Sequence, residues 1–209
     1  MPYGYTGQNL PNQTKSNSGV FSISDVADLT KQGKFGGSLE LIEEQTVSSN
    51  VSSVDFINLE NNPYDVYVCS IHNLKATTTA QIAWRFSTNN GSSFISTTAY
   101  QYASFRILSN GSTNEYRNNG TSILTDSYTS TGVSSANSYF YLYNMLDSSR
   151  LSFLTQHTTN LLASSGNYRS TFGGGVLPVA QTHNAFQVLA GTITEGTIKL
   201  YGVKQLWVL

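Results

Sequence analysis

From Ser38 onward the chain carries short runs of alternating or mixed apolar residues, separated by clusters of Ser, Thr, Asn and Gly. A period of two puts alternate side chains of one run on one face, so each run predicts a strand. The expected strands are 39–47, 51–59, 64–73, 81–88, 94–108, 138–145, 151–156, 170–179, 185–190 and 196–203. Many short strands at such spacing predict an all-β fold, a two-sheet antiparallel β-sandwich of jelly-roll-like kind. In 81–88, Ile82, Trp84 and Phe86 share one face while Ala83, Arg85 and Ser87 take the other, which makes Trp84 the expected core anchor. The run YDVYVCSI is apolar on both faces, as in a central strand or one at a subunit contact, and the central position is preferred. Asn90-Gly91 predicts a hairpin, because both residues accept the positive φ of a tight turn. Asn110-Gly111 and Asn119-Gly120 mark a longer loop.

Ahead of these runs the pattern is different. Residues 1–19 hold Pro2, Pro11 and many amides with no periodicity, and read as an extended arm. Ser24 then caps a short helix through Asp25, Val26, Asp28, Leu29 and Lys31, stopped by Gly33, with acids early and Lys late as the helix dipole favours. The chain thus divides into 1–36, an arm with a short helix, and 37–209, a β-sandwich domain. Residues 109–137 have little apolar content and read as a polar loop or a weak edge hairpin, a common place for a variable binding surface. No repeat of fixed period is visible.

Composition narrows the function classes. Only 11% of residues are charged, against roughly 25% in an average soluble protein. A polar but weakly charged surface is typical of extracellular, fibrous and virion proteins. A net charge of -1 with scattered Lys and Arg gives no field to hold a polyanion, so no nucleic-acid partner and no anionic membrane is expected. No run approaches the roughly 18 apolar residues of a membrane span, and the N-terminus lacks a basic region followed by an apolar stretch, so no signal peptide is expected. A single cysteine, Cys69, excludes an internal disulfide, leaving packing or oligomerisation to supply robustness.

Chemistry-bearing patterns are sparse. His72, His157 and His183 stand apart, without HExxH or CxxC spacing, and read as structural or surface residues. Cys69 and His72 are three apart and point to opposite faces of a continuous strand, so Cys69 reads as a buried small thiol. No GxSxG elbow occurs, and Gly191 and Gly196 have Walker spacing without the required Lys. Gly173, Gly174 and Gly175 predict a bulge or a close approach between sheets rather than an anion cradle. Glu40, Glu43 and Glu44, and likewise Asp55, Glu60 and Asp65, lack calcium-loop spacing and read as solvated or edge-guarding charges. A paired-carboxylate glycosidase is the weaker alternative. The expectation is a non-enzymatic protein with no cofactor and no metal.

The tyrosines carry the binding signal. Tyr100 and Tyr102, and separately Tyr139, Tyr141 and Tyr143, each alternate onto one strand face. Such a face packs a core, a subunit interface or a sugar ring, and Tyr139, Tyr141 and Tyr143 are the candidate glycan platform. The NxS/T triplets at Asn12, Asn50, Asn90, Asn110 and Asn119 follow from an Asn, Ser and Thr-rich composition.

The opening GYTGQNLPNQTKSNSGVFSISDVADLTKQGKFGGSLELIEEQTVSS resembles the start of virion structural proteins of marine phages, including cyanophages and pelagiphages. DVYVCSIHNL, RFSTNNGSSF, YFYLYNM, TFGGG and the closing IKLYGVK resemble strand blocks of the same group. The resemblance implies a tail-fibre or unspecified particle protein in the virion, with other virion proteins as partners. It makes NSGVFSISDVADL, with Val20, Phe21, Ile23, Val26 and Leu29, an attachment segment. The chain continues past the resembling block with Gln205, Leu206, Trp207, Val208 and Leu209, an apolar tail expected to bury against a neighbour. A homo-oligomer, with a trimer favoured, suits such a role. A capsid decoration protein and a host-glycan-binding module are the alternative readings.

Overall fold

The computed structural model describes residues 39–129, 134–162 and 165–204. Within them run β1 (Leu39–Val47), β2 (Val51–Phe56), β3 (Val66–Ala76), β4 (Gln81–Ser87), β5 (Tyr100–Leu108), β6 (Thr113–Gly120), β7 (Ile123–Tyr128), β8 (Ala136–Tyr143), β9 (Ser152–Leu161), β10 (Tyr168–Leu177) and β11 (Ala185–Val203). One 3-10 turn, Leu59–Asn61, is the only helical element among the described residues. The expected arm with its short helix, including Val20, Phe21, Ile23, Val26 and Leu29, lies outside the described residues. So does the tail Leu206, Trp207, Val208 and Leu209.

The protein is all-β, with every strand pairing antiparallel. Two separate sheets are not what forms. All the described strands join one sheet in the order β6-β5-β10-β9-β8-β3-β11-β4-β7, with β1 and β2 added along β11. The sheet curls until β7 lies against β5, β9 and β10, which nearly closes it into a barrel.

The continuity comes from β11. Expected as two strands, 185–190 and 196–203, it is one strand of 19 residues. Its first half is flanked by β2 and β4, its second by β1 and β3. Between the halves, Gly191 takes a φ of 71°, and the pairing shifts register between Leu189 and Ile193 and between Glu195 and Thr197. Extra residues inserted into a ladder bend the strand without ending it, so β11 turns the corner instead of stopping there. β3 is central, between β8 and β11, with Tyr67, Cys69 and Ile71 buried on one face and Val68 on the other.

Two turn readings change. The span 109–137 is not a single polar loop, because β6, all of β7 and the first two residues of β8 fall inside it. β6 is an edge strand held by its ladder to β5, and the hairpin turns at Asn110-Gly111, where the Gly111 N–H donates to Leu108 O at 3.0 Å. Asn90 and Gly91 do take positive φ, 55° and 79°. No β4–β5 ladder follows, because β4 pairs with β7 and β11 while β5 pairs with β6 and β10. The turn is held sideways instead: the Asn90 N–H donates to Asn184 Oδ1 at 2.8 Å and the Asn90 amide donates to Asn58 Oδ1.

The core lies inside the curl. Trp84 of β4 is fully buried, 4.5 Å from the Phe140 ring of β8 and 5.4 Å from Phe186 of β11, and Phe186 stacks on Phe56 of β2 at 5.0 Å. Each such side chain contributes about 1.5–3 kcal/mol by leaving water. Tyr100 of β5 spans the interior: its hydroxyl accepts the Phe86 N–H at 2.9 Å and donates to Ile95 O at 3.1 Å. Burial pushes this phenol up to about 12, so it remains a donor at neutral pH.

Candidate functional site

β8 alternates without a break. Ala136, Ser138, Phe140 and Leu142 point into the curl, and Tyr139, Tyr141 and Tyr143 point out. Tyr100 and Tyr102, which show the same spacing in sequence, are both buried. Tyr102 stacks on Tyr116 of β6 at 5.7 Å, beneath the same sheet.

Register aligns the outward residues of five strands into rows that cross the sheet. One row runs Tyr139, His157, Phe172, Phe105 and Glu115. Another, four residues further along each strand, runs Tyr143, Phe153, Val176, Gln101 and Asn119. Between them lies Tyr141, Thr155, Gly174, Ala103 and Arg117. The middle row is short in side chains, so an open trough of about 680 Å³ runs over Thr155, Gly174 and Ala103, with Phe153, Val176, Gln101, Arg117 and Asn119 along it. A second depression of about 470 Å³ adjoins it, lined by Tyr139, Tyr141, Tyr143, Thr155, His157 and Phe172.

The rings of this face brace one another. Tyr139 meets Tyr141 edge-on at 6.0 Å and His157 edge-on at 5.5 Å, and Phe105 lies 5.6 Å from Phe172. The Nε2 of His157 is 2.8 Å from Ser170 Oγ, which fixes the imidazole plane. Tyr139, Phe153 and Phe172 nevertheless remain 47%, 42% and 47% exposed. Apolar side chains gathered on one face in this way mark contact surfaces.

The glycine triplet has a structural cause. β10 keeps its register with β5 and β9 through Gly173, Gly174 and Gly175, so the bulge alternative does not apply there. A methyl on Gly175 would come within 2.7 Å of Ile123 in β7, the close approach that the curl requires. A methyl on Gly174 would collide with Leu154 O.

Elsewhere the chemistry-bearing residues have structural partners. His183 and Ser152, which no sequence spacing joined, are both buried with Nδ1 2.7 Å from Ser152 Oγ. The Gln181 amide lies 3.1 Å from His183 Nε2, and Ser152 Oγ donates to Asn144 O at 3.2 Å. These partners fit a neutral imidazole that accepts at Nε2 and donates at Nδ1. Burial pushes its pKa down to about 4, which keeps it neutral. With an amide where a triad has a carboxylate, and no solvent access, the pair holds the start of β9 to the segments around Asn144 and Gln181. Cys69 is buried, and desolvation pushes its thiol well above the usual range, so it is not a nucleophile at neutral pH.

The carboxylates are separated in the same way. Glu40, Glu43 and Glu44 sit on β1, where Glu40 accepts from Tyr64 Oη at 2.8 Å and pairs with Lys204 at 3.2 Å, and Glu44 pairs with Lys199 at 2.9 Å. The Tyr64 hydrogen bond and Lys204 hold the Glu40 carboxyl below its ordinary range. Asp55 accepts from the Gln187 amide at 3.0 Å. Among the described residues no group of three His, Cys, Asp or Glu is arranged to hold a metal ion, and no helix is long and apolar enough to cross a membrane.

Tyr139, Tyr141 and Tyr143 share the outward face, and beside them lie Phe153, Thr155 and Phe172, which their sequence pattern did not single out. The signal was present in the alternation of 152–161, where Phe153 and Thr155 sit opposite Leu154 and Gln156. Compared with protein-family models, with curated proteins and with solved structures, the chain finds no match.

Proposed function

We propose that this chain is a non-enzymatic structural protein of a phage particle, a tail fibre or appendage, which docks through residues 1–36 and presents the outward face of β5, β8, β9 and β10 as its contact surface. The observation that carries the reading is the set of exposed rings on that face, Tyr139, Tyr141, Phe153 and Phe172, on a chain with little charge to bind anything else. The composition and the resemblance to marine-phage virion proteins supply the particle. Read as a jelly-roll-like sandwich, the curl has β2, the first half of β11, β4 and β7 as one layer and β3, β8, β9, β10 and β5 as the other. A trimer, joined in part through the tail 205–209, suits a projecting role.

Antibody against the protein, applied to purified particles and located by electron microscopy, tests the reading. Label at the tail is the expected result. Label over the head would make the chain a capsid decoration protein, and particles without label would refute the structural role.

A further inference from the structure

We infer that the trough over Thr155, Gly174 and Ala103 binds a neutral oligosaccharide, an inference that rests on the outward face being a contact surface. The trough crosses four strands from Thr155 on β9 to Arg117 on β6, three inter-strand steps or about 14 Å. That length suits a short oligosaccharide better than a single sugar. Its floor stays bare for a reason independent of any ligand, since a side chain at Gly174 would collide with the carbonyl of Leu154.

The lining has the two components that sugar binding needs. Phe153, 42% exposed, offers a ring to the C–H surface of a pyranose, with Val176 as an apolar neighbour along the trough. Gln101, Asn119 and Thr155 offer groups that both donate and accept, matching hydroxyls that do the same. Charge decides between ligand classes. Arg117 is the charged residue lining the trough, and its guanidinium lies 4.0 Å from Glu115 on the same strand. The local field is therefore nearly cancelled, and an acidic peptide or a nucleic acid gains little from it. A second copy of the chain is disfavoured by shape: stable interfaces pack as densely as protein interiors, and a bare-floored trough leaves voids under a flat partner.

The test uses the full chain with four defined probes, cellohexaose, maltohexaose, laminarihexaose and chitohexaose, titrated calorimetrically. At least one is expected to bind. Ala103→Trp places a ring on the trough floor at an outward position and is expected to weaken that binding about tenfold or more. Phe153→Ala is expected to weaken it too, and Ile107→Ala, on the same face but outside the trough, to leave it unchanged. Absence of binding by every probe at millimolar concentration overturns the inference, as does equal binding by Ala103→Trp and the unmodified chain. So does a change in sedimentation mass on Ala103→Trp without any sugar binding, which would make the face a contact between copies. Labelled particles without sugar binding would remove the trough alone. Sugar binding with unlabelled particles would remove the particle assignment alone.

Discussion

Two tyrosine sets with the same spacing end in opposite environments. Tyr100 and Tyr102 on β5 face the interior, where Tyr100 ties β5 to the end of β4, while Tyr139 and Tyr141 on β8 face solvent. Alternation tells which residues share a face; it does not tell which face is covered. That is settled by the neighbours that register brings alongside. On β8 the residues between the tyrosines, Phe140 and Leu142, are apolar enough to claim the core. On β5 the residues that alternate with Tyr100 and Tyr102 are Gln101 and Ala103, so the tyrosines are the better candidates for burial.

The contrast can be broken from the inside first. Trp84→Ala opens a cavity among Phe140 and Phe186 and is expected to cost about 3–5 kcal/mol, read by urea denaturation. Trp84→Phe should cost much less, since Nε1 has no hydrogen-bond partner among the described residues.

A smaller effect comes from His183. The folded pKa of His183 lies near 4, below its ordinary value of 6.5. The unfolded chain therefore takes up a proton that the native state refuses. The contribution is intact above about pH 6.5 and is lost as the pH falls towards 4, by roughly 2–3 kcal/mol. Thermal denaturation across this window should show the loss, and His183→Gln should flatten it.

Tyr100→Phe comes next. It strips the Phe86 N–H and the Ile95 carbonyl of their shared partner, at an expected cost of about 1–3 kcal/mol. Smallest is Tyr141→Ala, on the open face, expected within about 0.5 kcal/mol of the unmodified protein. A loss at Tyr141 as large as that at Tyr100 would mean that the outward face is already covered by another copy.

The comparison also shows what was legible in advance. Ile82, Trp84 and Phe86 announced a core-facing strand because three large apolar residues at a period of two have little other use. β6 was not legible. TNEYRNNG has a single inward ring, Tyr116, and an edge strand needs only its ladder, so composition there resembles a loop. The joining of 185–190 and 196–203 escaped for a related reason: Gly191 and Gly196 read as a break, whereas shifted register converts them into a bend. The tyrosines of β8 could be named, but not the trough, since its floor and walls come from four further strands whose alignment exists only after the sheet has formed.

The spine of the sheet has a consequence in time. β11 pairs with β1, β2, β3 and β4, and Leu39 lies opposite Val203. During synthesis the first four strands leave the ribosome long before their common partner exists, with their hydrogen-bonding edges unsatisfied. Contacts this distant in sequence slow folding towards the millisecond-to-second range and prolong the interval in which an open edge is able to pair with the wrong chain. The charged β1, with Glu40, Glu43 and Glu44, is then a safeguard for the nascent chain, keeping neighbouring copies apart until β11 arrives.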